Sequence, residues 1–168
     1  MILIVPDLIP KRLCKEIINI HDKNHDLITK YNDTRCLDMN VLEDDDYKIV
    51  KKYALYLERY FSQFYPKCFI EYVQIVKWPP GASMDTHYDD ARPTTSLVSI
   101  TTLNDDFSGG EHFIQEKKEK LEFIPETGKT LAFDGMKYLH GVREVTRGTR
   151  YTLAIWYTND LEASINYS

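Results

Sequence analysis

The sequence has no long run of basic residues, and this absence restricts its partners. Its 168 residues include 21 Lys and Arg against 26 Asp and Glu, which gives a formal net charge of -5. Proteins that bind nucleic acid usually present a basic patch or stripe to the phosphates. We therefore expect that nucleic acid is not a partner of this chain.

Cysteine is also scarce. The three cysteines are Cys14, Cys36 and Cys68, and no two of them form a Cys-x-x-Cys pair. An odd number of scattered cysteines does not form a disulfide framework, and without the paired spacing neither a zinc site nor thiol exchange is indicated. We expect reduced and mostly buried thiols.

Long apolar runs are absent as well. No stretch approaches the roughly 20 apolar residues that are needed to cross a bilayer. The opening run, residues 1–5, is stopped by Pro6 and has neither a basic leader nor a small-residue cleavage site. We therefore expect no membrane segment, no signal peptide and a cytoplasmic location.

The N-terminal part of the chain carries two patterns of helical spacing. Apolar residues recur every three or four positions over 13–21 and again over 49–64. The second stripe follows three aspartates, whose charge suits a helix N-terminus, and it stops before Pro66. We expect two helices within residues 1–66, which support the rest of the fold.

Beyond these helices, short β-rich runs alternate with turns that are rich in Gly, Pro and Asp. The length suits one domain, so we take residues 1–168 as a single domain of the α+β class. We expect an antiparallel jelly roll over about 69–158, buttressed by the N-terminal helices. The expected strands are 69–77, 96–103, 111–114, 119–124, 129–133 and 150–157.

Three residues are candidates for binding a divalent metal ion: His87, Asp89 and His140. The first two are two positions apart, so in an extended segment both project from the same side of the chain. Alone, this pair also fits a solvated loop, and His140 fits a hydrogen-bonded core histidine. Together the three supply the two imidazoles and one carboxylate of a facial Fe(II) triad, which leaves coordination sites open for co-substrate and oxygen. A structural zinc site is instead closed by four protein ligands.

Arg150 opens a run in which alternation separates two faces. One face carries Arg150, Thr152, Ala154 and Trp156 and fits a pocket lining, whereas the other is almost wholly apolar and fits a contact with the helices. A buried guanidinium is costly unless it is paired. A bound carboxylate would accept its two parallel N–H groups, and Thr152 could add a hydroxyl. The alternative is a surface arginine on an edge strand.

With these residues in place, the region from about Tyr72 to Tyr157 resembles the Fe(II)/2-oxoglutarate dioxygenases, and within them the prolyl 4-hydroxylase-like branch. About half of the chain carries the likeness, and the order and spacing of its motifs are more specific than any single motif. The matching segments are 74–81 (QIVKWPPG), His87-x-Asp89, 103–111 (LNDDFSGGE), 128–133 (GKTLAF), 140–142 (HGV) and 148–151 (GTRY).

The resemblance implies a double-stranded β-helix and an enzyme that hydroxylates a C–H bond with release of succinate and CO2. It implies Fe(II) held by His87, Asp89 and His140, with 2-oxoglutarate and O2 as co-substrates and ascorbate as a candidate reductant. The first histidine, the aspartate and the distal histidine are the iron ligands throughout that family.

The resemblance also marks positions in the co-substrate pocket. Arg150 lies ten positions beyond His140, where the family places the basic residue that binds the distal carboxylate of 2-oxoglutarate. Trp78 and Thr102 stand where many relatives place tyrosines that line this pocket. We therefore expect Arg150, Thr152, Trp78 and Thr102 to bind the co-substrate.

The substrate that the resemblance favours is a proline within a peptide or protein. An oxygenase of a free amino acid or another small molecule is an alternative, which a small closed chamber would favour over a long open groove. A second alternative is a non-catalytic jelly-roll binding protein, although all four functional residues are present. A nucleic-acid demethylase of the same superfamily would carry a second arginine six positions after Arg150, where this chain has Trp156.

A few further residues are assigned by their position alone. Trp156 and Phe133 are candidate pocket walls, and residues 88–95, which include Arg92, are a candidate mobile lid. Ordinary core and loop roles fit these residues equally well. The remaining histidines lack partners at the family's spacing and are not expected to bind metal: His21, His25 and His112.

Overall fold

The computed structural model describes residues 1–91 and 93–165, so Arg92, part of the expected lid, lies outside the described residues. Within those ranges the α-helices are α1 (Lys11–Lys23) and α2 (Asp44–Phe61). The strands are β1 (Ile2–Val5), β2 (Thr29–Tyr31), β3 (Thr34–Asp38), β4 (Phe69–Trp78), β5 (Met84–His87), β6 (Thr95–Thr102), β7 (Ser108–Gly109), β8 (His112–Glu116), β9 (Glu119–Phe123), β10 (Thr130–Phe133), β11 (Leu139–Val142), β12 (Val145–Arg147) and β13 (Arg150–Thr158).

The strands form two main antiparallel sheets. The larger has the order β1-β10-β6-β13-β4-β3-β2, the smaller has the order β5-β11-β8-β9, and β7 pairs with β12 at one side. Apolar side chains from both sheets meet in a shared core, in which Val98, Leu131 and Phe133 of the larger sheet pack with Ile114 of the smaller one. This arrangement confirms the expected α+β jelly roll.

The two helices cover the outer face of the larger sheet. Leu153 and Ile155 of β13 are fully buried in the cluster that contains the apolar faces of α1 and α2. Phe61, the last residue of α2, contacts Tyr157 edge-on, with 6.0 Å between ring centroids. Each fully buried side chain of this kind contributes about 1.5–3 kcal/mol to folding. The helices therefore hold one face of β13 rigidly while the other face is free to line a site.

The N-terminal region also contributes strands, which helical spacing does not predict. The opening apolar run is the edge strand β1, paired with β10. The strands β2 and β3 form a hairpin that extends the other edge of the larger sheet through β4. Its two-residue turn contains Asn32 at φ 49°, a conformation that hairpin turns require and that Asn tolerates. The helix α2 ends at Phe61, five residues before Pro66.

The three cysteines are free and buried, as expected. Burial raises the pKa of Cys14 to about 11 and that of Cys68 to about 12. These thiols remain protonated at neutral pH and are therefore poor nucleophiles. Among the described residues, none of the helices is both long and apolar enough to cross a membrane.

Candidate active site

The three candidate metal ligands come together although they are far apart in sequence. His87 ends β5, and His140 lies directly opposite it on the paired strand β11. Asp89 follows β5 after one intervening residue, and Oδ1 of Asp89 lies 3.6 Å from Nε2 of each histidine. One ligand atom from each of the three residues lies within 4.8 Å of the other two. The pairing of β5 with β11 thus brings together two histidines that are more than 50 positions apart in the sequence.

Both histidines are oriented by their own backbone. Nδ1 of His87 lies 2.7 Å from the carbonyl oxygen of Asp85, and Nδ1 of His140 lies 2.8 Å from that of Tyr138. Because a carbonyl can only accept, each Nδ1 carries the proton and donates it. Each Nε2 is then left with its lone pair toward Asp89, as a metal ligand requires.

Asp89 is held in place by the turn that precedes β11. Its backbone N–H donates to the carbonyl of Gly135 over 3.0 Å. A Cβ at position 135 would overlap Oδ2 of Asp89, so only glycine leaves room for the carboxylate. Burial alone would raise the pKa of Asp89, but His140 and His87 outweigh it and hold that pKa well below its usual range. The same carboxylate raises the pKa of His87.

This donor set fits Fe(II). Two imidazoles and one carboxylate are the donors of the facial triad, and no fourth His, Cys, Asp or Glu joins the group within the described parts of the chain. Oδ2 of Asp89 is buried and has no hydrogen-bond partner among the described residues, so the carboxylate is free to ligate. His21, His25 and His112 lie outside the cluster.

Arg150 lies in the interior, at the start of β13. Its side chain is only 2% exposed, and Nε and Nη1 have no hydrogen-bond partner among the residues described. Burial lowers the pKa of Arg150 to about 9, although Glu111 opposes the shift. A buried cation with two unpartnered nitrogens is unfavourable unless an anion binds to it. The guanidinium is therefore suited to a carboxylate ligand.

The residues beside Arg150 shape its surroundings. Trp78 lies opposite it on β4, and the guanidinium carbon lies 4.8 Å from the centre of a Trp78 ring. Nε1 of Trp78 donates to Oγ1 of Thr152 over 3.3 Å. Thr102 lies opposite Thr152 on β6, and it lines a small cavity of about 20 Å³ next to the main cleft. The structure thus brings together all four residues expected to bind the co-substrate.

A cleft of about 990 Å³ contains the metal cluster together with Arg150, Trp78 and Thr152, whereas Thr102 lines only the small cavity. Its lining includes the metal cluster, Arg150 and the predicted pocket face of β13, so the expected alternation along this strand is confirmed. Trp156 lines the cleft beside Tyr72, with 5.5 Å between ring centroids, whereas Phe133 contacts His140 at 4.7 Å. Both expected wall residues therefore border the site.

Sequence reasoning missed the rim of the cleft. The β2–β3 hairpin and Tyr72 and Gln74 of β4 line it in addition to the predicted residues. The alternation of Tyr72, Gln74, Val76 and Trp78 along one strand was a usable signal for the β4 face. The hairpin could have been found from the Asn32 turn, which stands between two short β-prone runs.

His112, the first residue of β8, is a buried histidine of this site. It is 8% exposed and stacks on His140, with ring centroids 5.6 Å apart and an interplanar angle of 11°. Neither of its ring nitrogens has a hydrogen-bond partner among the described residues. Burial lowers the pKa of His112 well below its ordinary value, and His140 and Arg150 act in the same direction.

Comparison with known proteins agrees with this description. A family model described as the 2OG-Fe(II) oxygenase superfamily matches residues 73–158. Prolyl 3-hydroxylase 1 of Gallus gallus is 38% identical over 66 residues, which are 37% of this chain and 9% of that protein. The matched segment is therefore less than a tenth of the length of the curated relative.

Two solved structures share the fold. An oxidoreductase of the 2OG-Fe(II) oxygenase family from Burkholderia pseudomallei has a TM-score of 0.80 at 17% identity, over 95% of this chain and 84% of that chain. A prolyl hydroxylase from Trichoplax adhaerens, in complex with a peptide of the hypoxia inducible factor oxygen degradation domain, has a TM-score of 0.80 at 13% identity, over 96% and 85%.

The region that the family model matches is just over half of the chain, and it contains every residue of the metal cluster as well as Arg150. It runs from within β4 to the end of β13 and carries most of the residues that line the cleft. The chain belongs to the 2OG-Fe(II) oxygenase superfamily, a family of oxidoreductases that use Fe(II) and 2-oxoglutarate.

Proposed function

We propose that this chain hydroxylates a proline residue in a peptide or protein, with His87, Asp89 and His140 as its iron ligands and Arg150 as the anchor of 2-oxoglutarate. The observation that carries the proposal is the occurrence, in one cleft, of a facial-triad donor set and a buried arginine with two unpartnered nitrogens. These two features supply the two kinds of binding that the family's cofactors need.

Each residue has a separate task in this proposal. The two imidazoles present Nε2 because their Nδ1 protons are committed to backbone carbonyls. Arg150 holds the distal carboxylate of 2-oxoglutarate, and Trp78 covers the guanidinium and keeps water from it. When bound, Fe(II) and 2-oxoglutarate supply the oxidising chemistry, in which one oxygen atom of O2 enters succinate and the other enters the hydroxylated product.

The cleft supports a peptide rather than a small metabolite as substrate. Tyr31 of the β2–β3 hairpin and Tyr88 both line it, and they are 61% and 45% exposed. Solvent-exposed aromatic side chains at the rim are suited to packing on an extended chain. The likeness to proteins named prolyl hydroxylases favours proline as the modified residue.

The first experiment tests metal and co-substrate binding. Fe(II) and then 2-oxoglutarate are added to the protein without oxygen, and the visible charge-transfer band of a bidentate 2-oxo acid chelate is recorded. We expect the band in the unaltered chain and in Asp26→Ala, whose carboxylate is exposed and remote from the cluster. It should be lost in Asp89→Ala. Absence of the band from the unaltered chain would contradict the proposal and favour a binding protein without turnover.

The second experiment tests the substrate. Succinate release is measured with proline-containing peptides and with free L-proline, and the products are examined by mass spectrometry for a gain of one oxygen atom. Release that is coupled to hydroxylation of a peptide supports the proposal, and amino-acid analysis then identifies the ring carbon that is modified. Turnover of free amino acids alone would replace peptidyl proline with a small-molecule substrate.

A further inference from the structure

His112 is a buried polar side chain that the proposed chemistry does not use. Its ring lies between the metal cluster and the arginine: it stacks on His140 on one side, and it lines the small cavity of about 20 Å³ together with Arg150 and Thr102. It also lines the main cleft. Phe133 packs against the ring, with 5.4 Å between centroids.

The unpartnered nitrogens of His112 need an explanation. A buried donor without a partner costs about 1–3 kcal/mol, so such groups are usually paired with protein, ordered water or a ligand. His112 is not a member of the metal cluster, so metal ligation does not provide the missing partner. Its neighbours Phe133 and the His140 ring offer only ring faces and edges. The partner is therefore a molecule in the cleft or in the small cavity, since His112 lines both.

The chemistry of that partner follows from the neighbouring groups. Nε and Nη1 of Arg150 are unused as well, and the guanidinium requires an anion. In either tautomer the ring of His112 carries at least one N–H, which can donate to a carboxylate oxygen. Thr102 contributes a hydroxyl to the same small cavity. His112 and Arg150 both line the main cleft as well, so two donor side chains are placed to bind one carboxylate there, with Thr102 beside them.

We propose that His112 binds the distal carboxylate of 2-oxoglutarate together with Arg150, as a co-substrate-selecting residue. The proposal rests on the function proposed above, because it requires 2-oxoglutarate in this cleft. The small cavity could instead hold about one water molecule, which would then be the partner of His112. The two possibilities differ in what the loss of His112 does to 2-oxoglutarate binding.

The test is a binding titration rather than a turnover assay. The affinity of the Fe(II)-loaded, oxygen-free protein for 2-oxoglutarate is read from the charge-transfer band in the unaltered chain and in His112→Leu. The loss of a hydrogen bond to a charged group should weaken binding by about tenfold or more. Binding of 2-oxopentanoate, which has a methyl group in place of the distal carboxylate, should be unchanged. Equal 2-oxoglutarate affinities in the two proteins would overturn the proposal.

Stability separates a binding role from a structural one. His112→Leu replaces an unpartnered polar ring with an apolar side chain of similar size, so we expect the ligand-free variant to melt at the same temperature or higher. His112→Gln, which keeps an N–H donor, should regain most of the lost affinity. A lower melting temperature in His112→Leu, together with equal weakening for both 2-oxo acids, would instead assign His112 a structural role.

A measurement on the unaltered chain avoids mutation altogether. Ring resonances of isotope-labelled histidine are recorded for the Zn(II)-loaded protein, with 2-oxoglutarate and then with 2-oxopentanoate. We expect the His112 N–H signal to shift only with the dicarboxylate. If the Fe(II)-loaded chain shows the charge-transfer band with 2-oxoglutarate but the His112 signal does not change, this inference alone is overturned. If the Fe(II)-loaded chain shows no charge-transfer band, the proposed function is overturned with it.

Discussion

His87 and His140 lie directly opposite each other on β5 and β11, and their ring centroids are 4.4 Å apart. The register of the same two strands shifts immediately after this pair, between His140 and Val142. Asp89 lies beside both rings, with Oδ1 3.6 Å from Nε2 of each histidine. The cluster is therefore a property of strand register as much as of residue type.

Replacement of His140 by alanine should abolish metal binding. The change removes one of three ligands and leaves β11 paired through its backbone, so the fold should persist with a lower melting temperature because the ring packs on Phe133. Competition with a chromogenic chelator measures the affinity for Fe(II) or Zn(II). The exposed His25, changed to alanine, is the control and should bind metal normally. Undiminished metal affinity in the His140 variant would remove it from the ligand set.

Arg150→Met should weaken 2-oxoglutarate binding while the metal still binds. Loss of a buried, hydrogen-bonded charge pair costs at least about 2 kcal/mol, which is roughly a 30-fold change in affinity. Without ligand the variant should be no less stable than the parent, because an unpaired buried cation has been removed. Arg143→Met removes an exposed arginine that pairs with Glu122 and serves as the control. If metal affinity fell in parallel, Arg150 would be structural.

Gly135→Ala tests the space that Asp89 occupies. The added Cβ would overlap Oδ2, so the carboxylate must rotate away from the histidines. Metal affinity should fall by about 10- to 100-fold, as is typical when the support of a ligand is disturbed. Isothermal titration with Zn(II) measures the effect, and circular dichroism checks the fold. A variant that binds as tightly as the parent would show that Asp89 does not depend on this glycine.

A polar contact on the outer face of the sheet predicts acid sensitivity. Asp22 of α1 accepts from Lys77 of β4 and from the hydroxyl of Tyr151 on β13. Burial would raise the pKa of Asp22, but these hydrogen bonds hold it below its ordinary value. The stabilisation is therefore complete above the ordinary carboxyl pKa of about 4 and is lost as pH falls through the lower value of the folded state. Melting temperatures of Asp22→Asn and the parent should converge in acid; a constant difference would contradict the assignment.

The sequence predicted the β13 strand with both of its faces, because alternation and burial act on the same residues. Ala154 and Trp156 face the cleft, whereas Leu153 and Ile155 face the helices. The sequence did not predict β11, because Gly141 and the turn at Asp134 make this segment resemble a loop. Only pairing with β5 and β8 makes it a strand.

The candidate site likewise contains residues that the sequence predicts and residues whose role depends on tertiary packing. Residue types and spacing identified Asp89 and Arg150, since a carboxylate two positions after a histidine and an arginine at a strand start are visible in the chain. The importance of His112 was not visible, because its burial and its unpartnered nitrogens arise from the packing of β8 against Phe133 and His140. The closeness of Gly135 to Asp89 is likewise a consequence of tertiary packing, which no local sequence pattern predicts.

The hydrogen bonds from Nδ1 of His87 and His140 affect how such a metal centre can evolve. Each ring is oriented by a carbonyl two residues earlier in the chain, and every amino acid at positions 85 and 138 provides that carbonyl. No neighbouring side chain needs to be inherited together with either ligand to keep its tautomer. The wall of the cleft is therefore free to diverge toward new substrates while the orientation of both imidazoles persists.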